Sequence, residues 1–149
     1  MAMDELVKVF MEESEEEIRE LESGLIKLEE NHDDGDTINR VFRAAHTIKG
    51  SAGLVGFENV SNFTHNIENI LDRIRNKELT ITKALVSNLL SSVDMLKRIL
   101  AASSAGEEIE IGEIEAVSQT LKRFTGSGKT TSGKQAPPDK SKGKTGEKV

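Results

Sequence analysis

Apolar residues recur along this chain in steps of three and four, the spacing of helices with one buried face. Val7, Phe10, Ser14, Ile18, Leu21, Leu25 and Leu28 form the first such stripe, so a long helix is predicted over residues 4–30, with Asp4 as its N-cap. Its other face carries Glu12, Glu13, Glu15, Glu16, Glu20 and Glu22, a solvated surface. Residues 31–35 have the composition of a turn. A second helix opens with Asp36 or Thr37 as cap and runs out over residues 53–56, with Val41, Ala45, Ile48, Ala52 and Val55 on its apolar side. A third spans residues 59–75, carried by Val60, Phe63, Ile67, Ile70, Leu71 and Ile74. After a short connection over residues 76–81, Thr82 caps a fourth, in which Leu85, Leu89, Val93, Leu96 and Leu100 repeat. Residues 101–106 close it, and Ile111, Ile114, Val117, Leu121 and Phe124 mark a shorter fifth. No segment alternates with period two for long enough to be a strand. The predicted fold is all-α: residues 1–125 form an antiparallel up-and-down four-helix bundle with a fifth, C-terminal helix.

Beyond Phe124 the periodicity stops. Residues 126–149 are Gly, Ser, Lys and Pro with almost nothing apolar, which reads as a flexible linker or tail. Charge divides at the same place: the tail carries +4 and residues 1–125 carry −10, within a net −6 for the chain. An acidic body argues against nucleic acid as a partner. Gly128-Lys129-Thr130 matches the end of a phosphate-binding loop, but Arg123 stands where that loop needs its first glycine, so the match is rejected. There is no cysteine, hence no disulfide and no thiolate chemistry. No run approaches the ~20 apolar residues of a membrane span, and the start MAMDELVKVF does not read as a secretion signal, so a cytoplasmic protein without membrane contact is expected. Glu29-Glu30-Asn31-His32 fits one Glu-x-x-His half of a di-iron bundle site. Such sites need two copies deep in a core, and here one copy sits at a helix end, so no metal is expected.

The chemistry-bearing stretch is residues 43–56, RAAHTIKGSAGLVG. On a helical wheel His46 lies roughly 120° from the centre of the apolar face and should face solvent. Gly50 and Gly53 follow one and two turns on, within about 40° of it. Each glycine costs a helix interior up to ~1 kcal/mol relative to alanine, so two on one face need a reason. Clearance for another protein's surface to reach the imidazole is one; close helix packing is the other. Lys49 sits on the adjacent turn, where its ammonium could meet an anion carried by His46. On the third helix, His65 and Glu68 fall at the edge and on the polar side of the wheel, three residues apart.

Two motifs carry a family resemblance. His46-Thr47-Ile48-Lys49-Gly50 fits H-[ST]-[IL]-K-G, and His65 to Asn69 fits H-x-x-E-N about twenty residues later. Together they resemble the histidine phosphotransfer domain that opens the chemotaxis histidine kinase CheA, over about residues 3–125. The resemblance implies that His46 is a phosphoacceptor, oriented and activated by Glu68, with Lys49 as a phosphate-side cation and His65 completing a polar network. Thr47, Gly50 and Gly53 would lie under the partners. It implies a donor, the ATP-binding domain of a histidine kinase, and an acceptor, an aspartate on response regulators of the CheY and CheB kind. ATP and magnesium would be bound by those partners, leaving this chain without a cofactor of its own. Nothing in the sequence offers a nucleotide loop or catalytic kinase domain. The rival readings are an acidic bundle that binds a partner with His46 incidental, and a bundle enzyme or metal carrier.

Overall fold

The computed structural model describes residues 2–126. Five helices follow one another: α1 (Ala2–Glu30), α2 (Gly35–Leu54), α3 (Glu58–Arg75), α4 (Lys83–Ala105) and α5 (Ile111–Gly126). No strand occurs among the described residues. The tail from residue 127 on, with its Gly128-Lys129-Thr130, lies outside them.

Short connections force successive helices to reverse direction, and the cross-helix contacts record it. Phe10 meets Phe57, just past the end of α2, edge-on at 5.5 Å between centroids, while Glu20, ten residues later on α1, accepts from Arg40, near the start of α2, at 2.7 Å. Likewise α2 and α3 are antiparallel: Ser61 donates to the Lys49 carbonyl at 3.1 Å, and Arg75 lies over the Phe42 ring. Helices α1 to α4 pack in a closed ring of neighbours, and α5 lies against α3 and α4. Leu21, Leu25, Val41, Ile48, Ile67, Leu71, Leu89 and Leu96 fill the centre. Only Leu121 of α5 is buried among its described side chains; Arg98–Glu113 at 2.8 Å and Asn66–Ser118 at 3.4 Å tie that helix to α4 and α3.

The helix ends show why the chain turns where it does. Helix α1 starts at Ala2, so Asp4 is not its cap; it sits in the first turn, where the positive end of the helix dipole favours a carboxylate. Helix α2 is capped by Asp34, not by Asp36 or Thr37. Its carboxylate accepts from the Thr37 amide at 3.2 Å and the Thr37 hydroxyl at 2.8 Å, bonds that hold it below the usual carboxylate range. Thr37 is then free to be buried, leaving Asp36 exposed in the first turn. Thr82 caps α4 as expected, accepting from the Leu85 amide at 3.1 Å. Gly56 and Gly106 stop α2 and α4 in the left-handed region, at φ 81° and 73°, where a side chain would be strained.

One glycine is a packing device: a Cβ on Gly24 would stand 2.3 Å from Cγ1 of Val41, which is fully buried. The missing side chain lets α1 and α2 approach. Gly50 and Gly53 are the opposite case, with nothing within 4 Å of an added Cβ.

Candidate functional site

Helices α2 and α3 build the site between them. The apolar stripe of α2 faces the core through Val41, Ala45, Ile48 and Ala52, which turns His46 outward with 62% of its side chain exposed. The expectation for Glu68 needs correcting. It is not on the polar side of α3; it is buried, at 6% exposure, because α2 lies over that flank. A wheel drawn for α3 alone does not include the neighbouring helix.

A buried carboxylate is costly unless it is paired and hydrogen-bonded. Glu68 is both. One oxygen, Oε2, accepts from Nδ1 of His46, and the other, Oε1, accepts from Lys49 Nζ at 2.6 Å. His65 Nδ1 stands 3.6 Å from Oε1 as a looser third neighbour. Burial pushes the Glu68 carboxyl up, but the hydrogen bonds from Lys49 and His46, with their charges, outweigh it and hold it below the usual carboxylate range. Glu68 is therefore ionised at neutral pH and can only accept. The imidazole nitrogen facing it must carry the hydrogen, so in the neutral ring the lone pair is on Nε2.

Lys49 thus does not stand free beside the imidazole; its ammonium is on Glu68, 26% exposed. Thr47, Gly50 and Gly53 are exposed on α2, and the open space at both glycines removes close packing as their explanation. Leu54, at the end of the same helix, is 86% exposed. The sequence reading passed over two residues. Phe42, one turn before His46, lies nearly parallel to it, with centroids 6.1 Å apart and planes 13° from each other. The Arg75 guanidinium covers the Phe42 ring at 3.8 Å from its centroid. The i, i+4 spacing of Phe42 and His46 was a usable signal; the pairing with Arg75 was not, since it depends on how α2 and α3 meet. Glu29 and His32 are not brought to any cluster, and no group of three or more His, Cys, Asp or Glu among the described residues is placed to hold a metal. No helix among them is long and apolar enough to cross a membrane.

The site is thus an exposed, helix-borne imidazole on a buried carboxylate, with open space at the neighbouring glycines, and not an enclosed cavity. Comparison with known proteins gives the family. The Hpt domain family matches residues 5–106, and the chain belongs to that family, the histidine phosphotransfer domains. Its fold matches the solution structure of the histidine phosphotransfer domain of CheA, with TM-score 0.74, 38% identity, and coverage of 91% of this chain and 99% of that one. The chemotaxis protein CheA of Treponema pallidum is 39% identical over 103 residues, which is 69% of this chain and 13% of that protein. The chain therefore spans about an eighth of that relative's length. The phosphorylated P1 domain of CheA3 in complex with CheY6 from R. sphaeroides shares the fold, with TM-score 0.74, 24% identity, and coverage of 80% of this chain and 94% of that one.

Proposed function

We propose that His46 accepts a phosphoryl group on Nε2 from the ATP-binding domain of a histidine kinase and passes it to an aspartate of a response regulator, in a phosphorelay of the chemotaxis type. The observation that carries this is the single-sided hold on the imidazole: Nδ1 is engaged by the buried Glu68, and the ring is otherwise exposed beside glycines with open space around them. In the forward step the Nε2 lone pair attacks the γ-phosphorus. An N–P bond forms, the bond to the β–γ bridging oxygen breaks, and ADP leaves with that electron pair. Positive charge develops on the ring, and Glu68 stabilises it through Nδ1–H. In the second step an aspartate oxygen attacks phosphorus and the N–P electrons return to Nε2. ATP and magnesium belong to the donor domain, and magnesium to the regulator, where they position and neutralise the phosphoryl group. Lys49 holds the second oxygen of Glu68 and so keeps the carboxylate ionised and in place behind the imidazole, and His65 completes the polar set. Thr47, Gly50 and Gly53 form the face that partners cover. The solved complex of a P1 domain of this fold with CheY6 supports a regulator as one such partner. A chain exchanging phosphoryl groups with these partners works in the cytoplasm.

The test is incubation with a CheA-type kinase and labelled ATP. The expected result is label stable in base, lost in acid, absent from a folded His46→Gln variant and retained when His32 or His65 is changed. The substitution should cost little stability, because a side chain this exposed contributes little packing and the Gln amide can donate to Glu68 in place of the imidazole. Base-stable label on folded His46→Gln would move the site elsewhere, and an unlabelled wild-type chain would favour the acidic interaction module.

A further inference from the structure

Resting on the phosphoacceptor reading of His46, we propose that Phe42, held under Arg75, is a positioning residue that sets the orientation of the imidazole. Glu68 fixes the ring at one atom, Nδ1. The ring hangs from Cβ, and one hydrogen bond to the exposed ring leaves the two side-chain torsions room to librate, so the Nε2 lone pair sweeps with them. In-line attack needs that lone pair aligned with phosphorus, and small misplacements of a reacting group are expensive in rate. A second side-chain contact narrows that libration, and Phe42 supplies it. It lies one turn before His46 on the same side of α2, and its ring, 13° from parallel at 6.1 Å, is within the range of attractive aromatic pairs.

Phe42 is itself held. It is half-buried, and the Arg75 guanidinium sits 3.8 Å from its centroid, a cation over the ring face. Arg75 is in turn fixed by Asp72, with Nη2 donating to Oδ1 at 2.8 Å. Both supports of the imidazole therefore end on α3: His46 through Glu68, and Phe42 through Arg75 with Asp72. Glu68 decides which nitrogen is free, and Phe42 decides where it points. A side chain that merely filled space between α2 and α3 would need apolar volume but no flat face.

That difference gives the test, in which Phe42→Leu keeps apolar volume and loses the face, and Phe42→Tyr keeps both. Phosphorylation by a CheA-type kinase is followed as rate against concentration of the chain, and imidazole ¹³C relaxation of His46 is measured on the unphosphorylated protein. Phe42→Leu is expected to lower kcat about tenfold with KM unchanged and to raise the mobility of the His46 ring. Phe42→Tyr is expected to restore both, and Arg75→Gln to shift both in the direction of Phe42→Leu by a smaller factor. Wild-type kcat and ring order in folded Phe42→Leu would overturn the proposal. So would a change in KM alone, which would make Phe42 a docking contact, or failure of Phe42→Tyr to restore the rate. Should Phe42→Leu not fold, Arg75→Gln decides, and unchanged kcat and ring order there would overturn the proposal. The relaxation readout needs no kinase, so a wild-type chain that is not labelled would sink the phosphoacceptor reading while the coupling of Phe42 to His46 is still decided.

Discussion

At the scale of single residues, the site turns on a carboxylate that accepts two hydrogen bonds inside the protein. On the proposed function the ring becomes cationic during attack, when the bond from His46 is strongest, so its loss would fall on the transition state. Glu68→Ala is expected to slow phosphorylation of His46 by roughly ten- to hundred-fold, the equivalent of a charge-assisted bond of ~1.5–3 kcal/mol. Docking of either partner should change less. Rates from single-turnover labelling, set beside partner affinities from calorimetry, check the split. Equal loss of both would make Glu68 a structural carboxylate only. The same residue predicts a pH dependence of stability. Its folded-state pKa lies below the ordinary 4.5, so ionised Glu68 favours the folded chain. That contribution is complete above about pH 4.5 and fades as the pH falls through the lower, folded-state value. Urea denaturation between pH 3 and 7 should therefore show wild type losing stability on acidification by more than Glu68→Gln does. Parallel curves for the two proteins would contradict it.

At the scale of elements, three glycines in helices play two different roles. Gly24 is a contact, since any side chain there would run into Val41, a stiff β-branched residue with no room to move. An added Cβ on Gly50 or Gly53 would meet nothing within 4 Å, so no packing contact among the described residues offsets their cost to α2. On the proposed function the return comes when a partner covers the imidazole. Gly50→Leu and Gly53→Leu should hold or raise the thermal midpoint, because leucine is a good helix former and has open space to occupy. They should slow phosphoryl transfer to and from partners. Circular dichroism melts and transfer rates measured on the same samples check both halves, and unchanged transfer would remove the clearance argument.

For the whole molecule, the side chains of the candidate site belong to two helices, and the remaining three hold those two in register. Helix α5 is the most loosely attached: one buried leucine, half-buried Ile114, Val117 and Phe124, and polar ties at Arg98 and Asn66. It also lies beyond residue 106, where the match to the family ends. A chain truncated after Gly106 should keep the four-helix fold and kinase labelling at His46, and lose on the order of 3 kcal/mol from uncovering the seat of Leu121 and its half-buried neighbours. Urea titration and labelling of the truncated chain check this. Loss of labelling from a folded truncation would give α5 a part in the site.

The sequence by itself determined the helices, the face each presents to the core and the outward direction of His46, because three- and four-residue periodicity is a property of one helix at a time. Thr82 was likewise readable as a cap, since a cap acts within its own turn. Misplacing the α2 cap at Asp36 or Thr37 rather than Asp34 came from several capping residues in a row, among which the burial of Thr37 chose. The two motifs pointed to His46 and Glu68, which the fold brings together, but only tertiary structure made Glu68 a buried residue and put Lys49 on its second oxygen. The same holds for Gly24 against Val41 and for Arg75 over Phe42. Each of these depends on the register in which two antiparallel helices meet. That register is set by the fit of side chains from different parts of the chain, so no single stretch of sequence carries it.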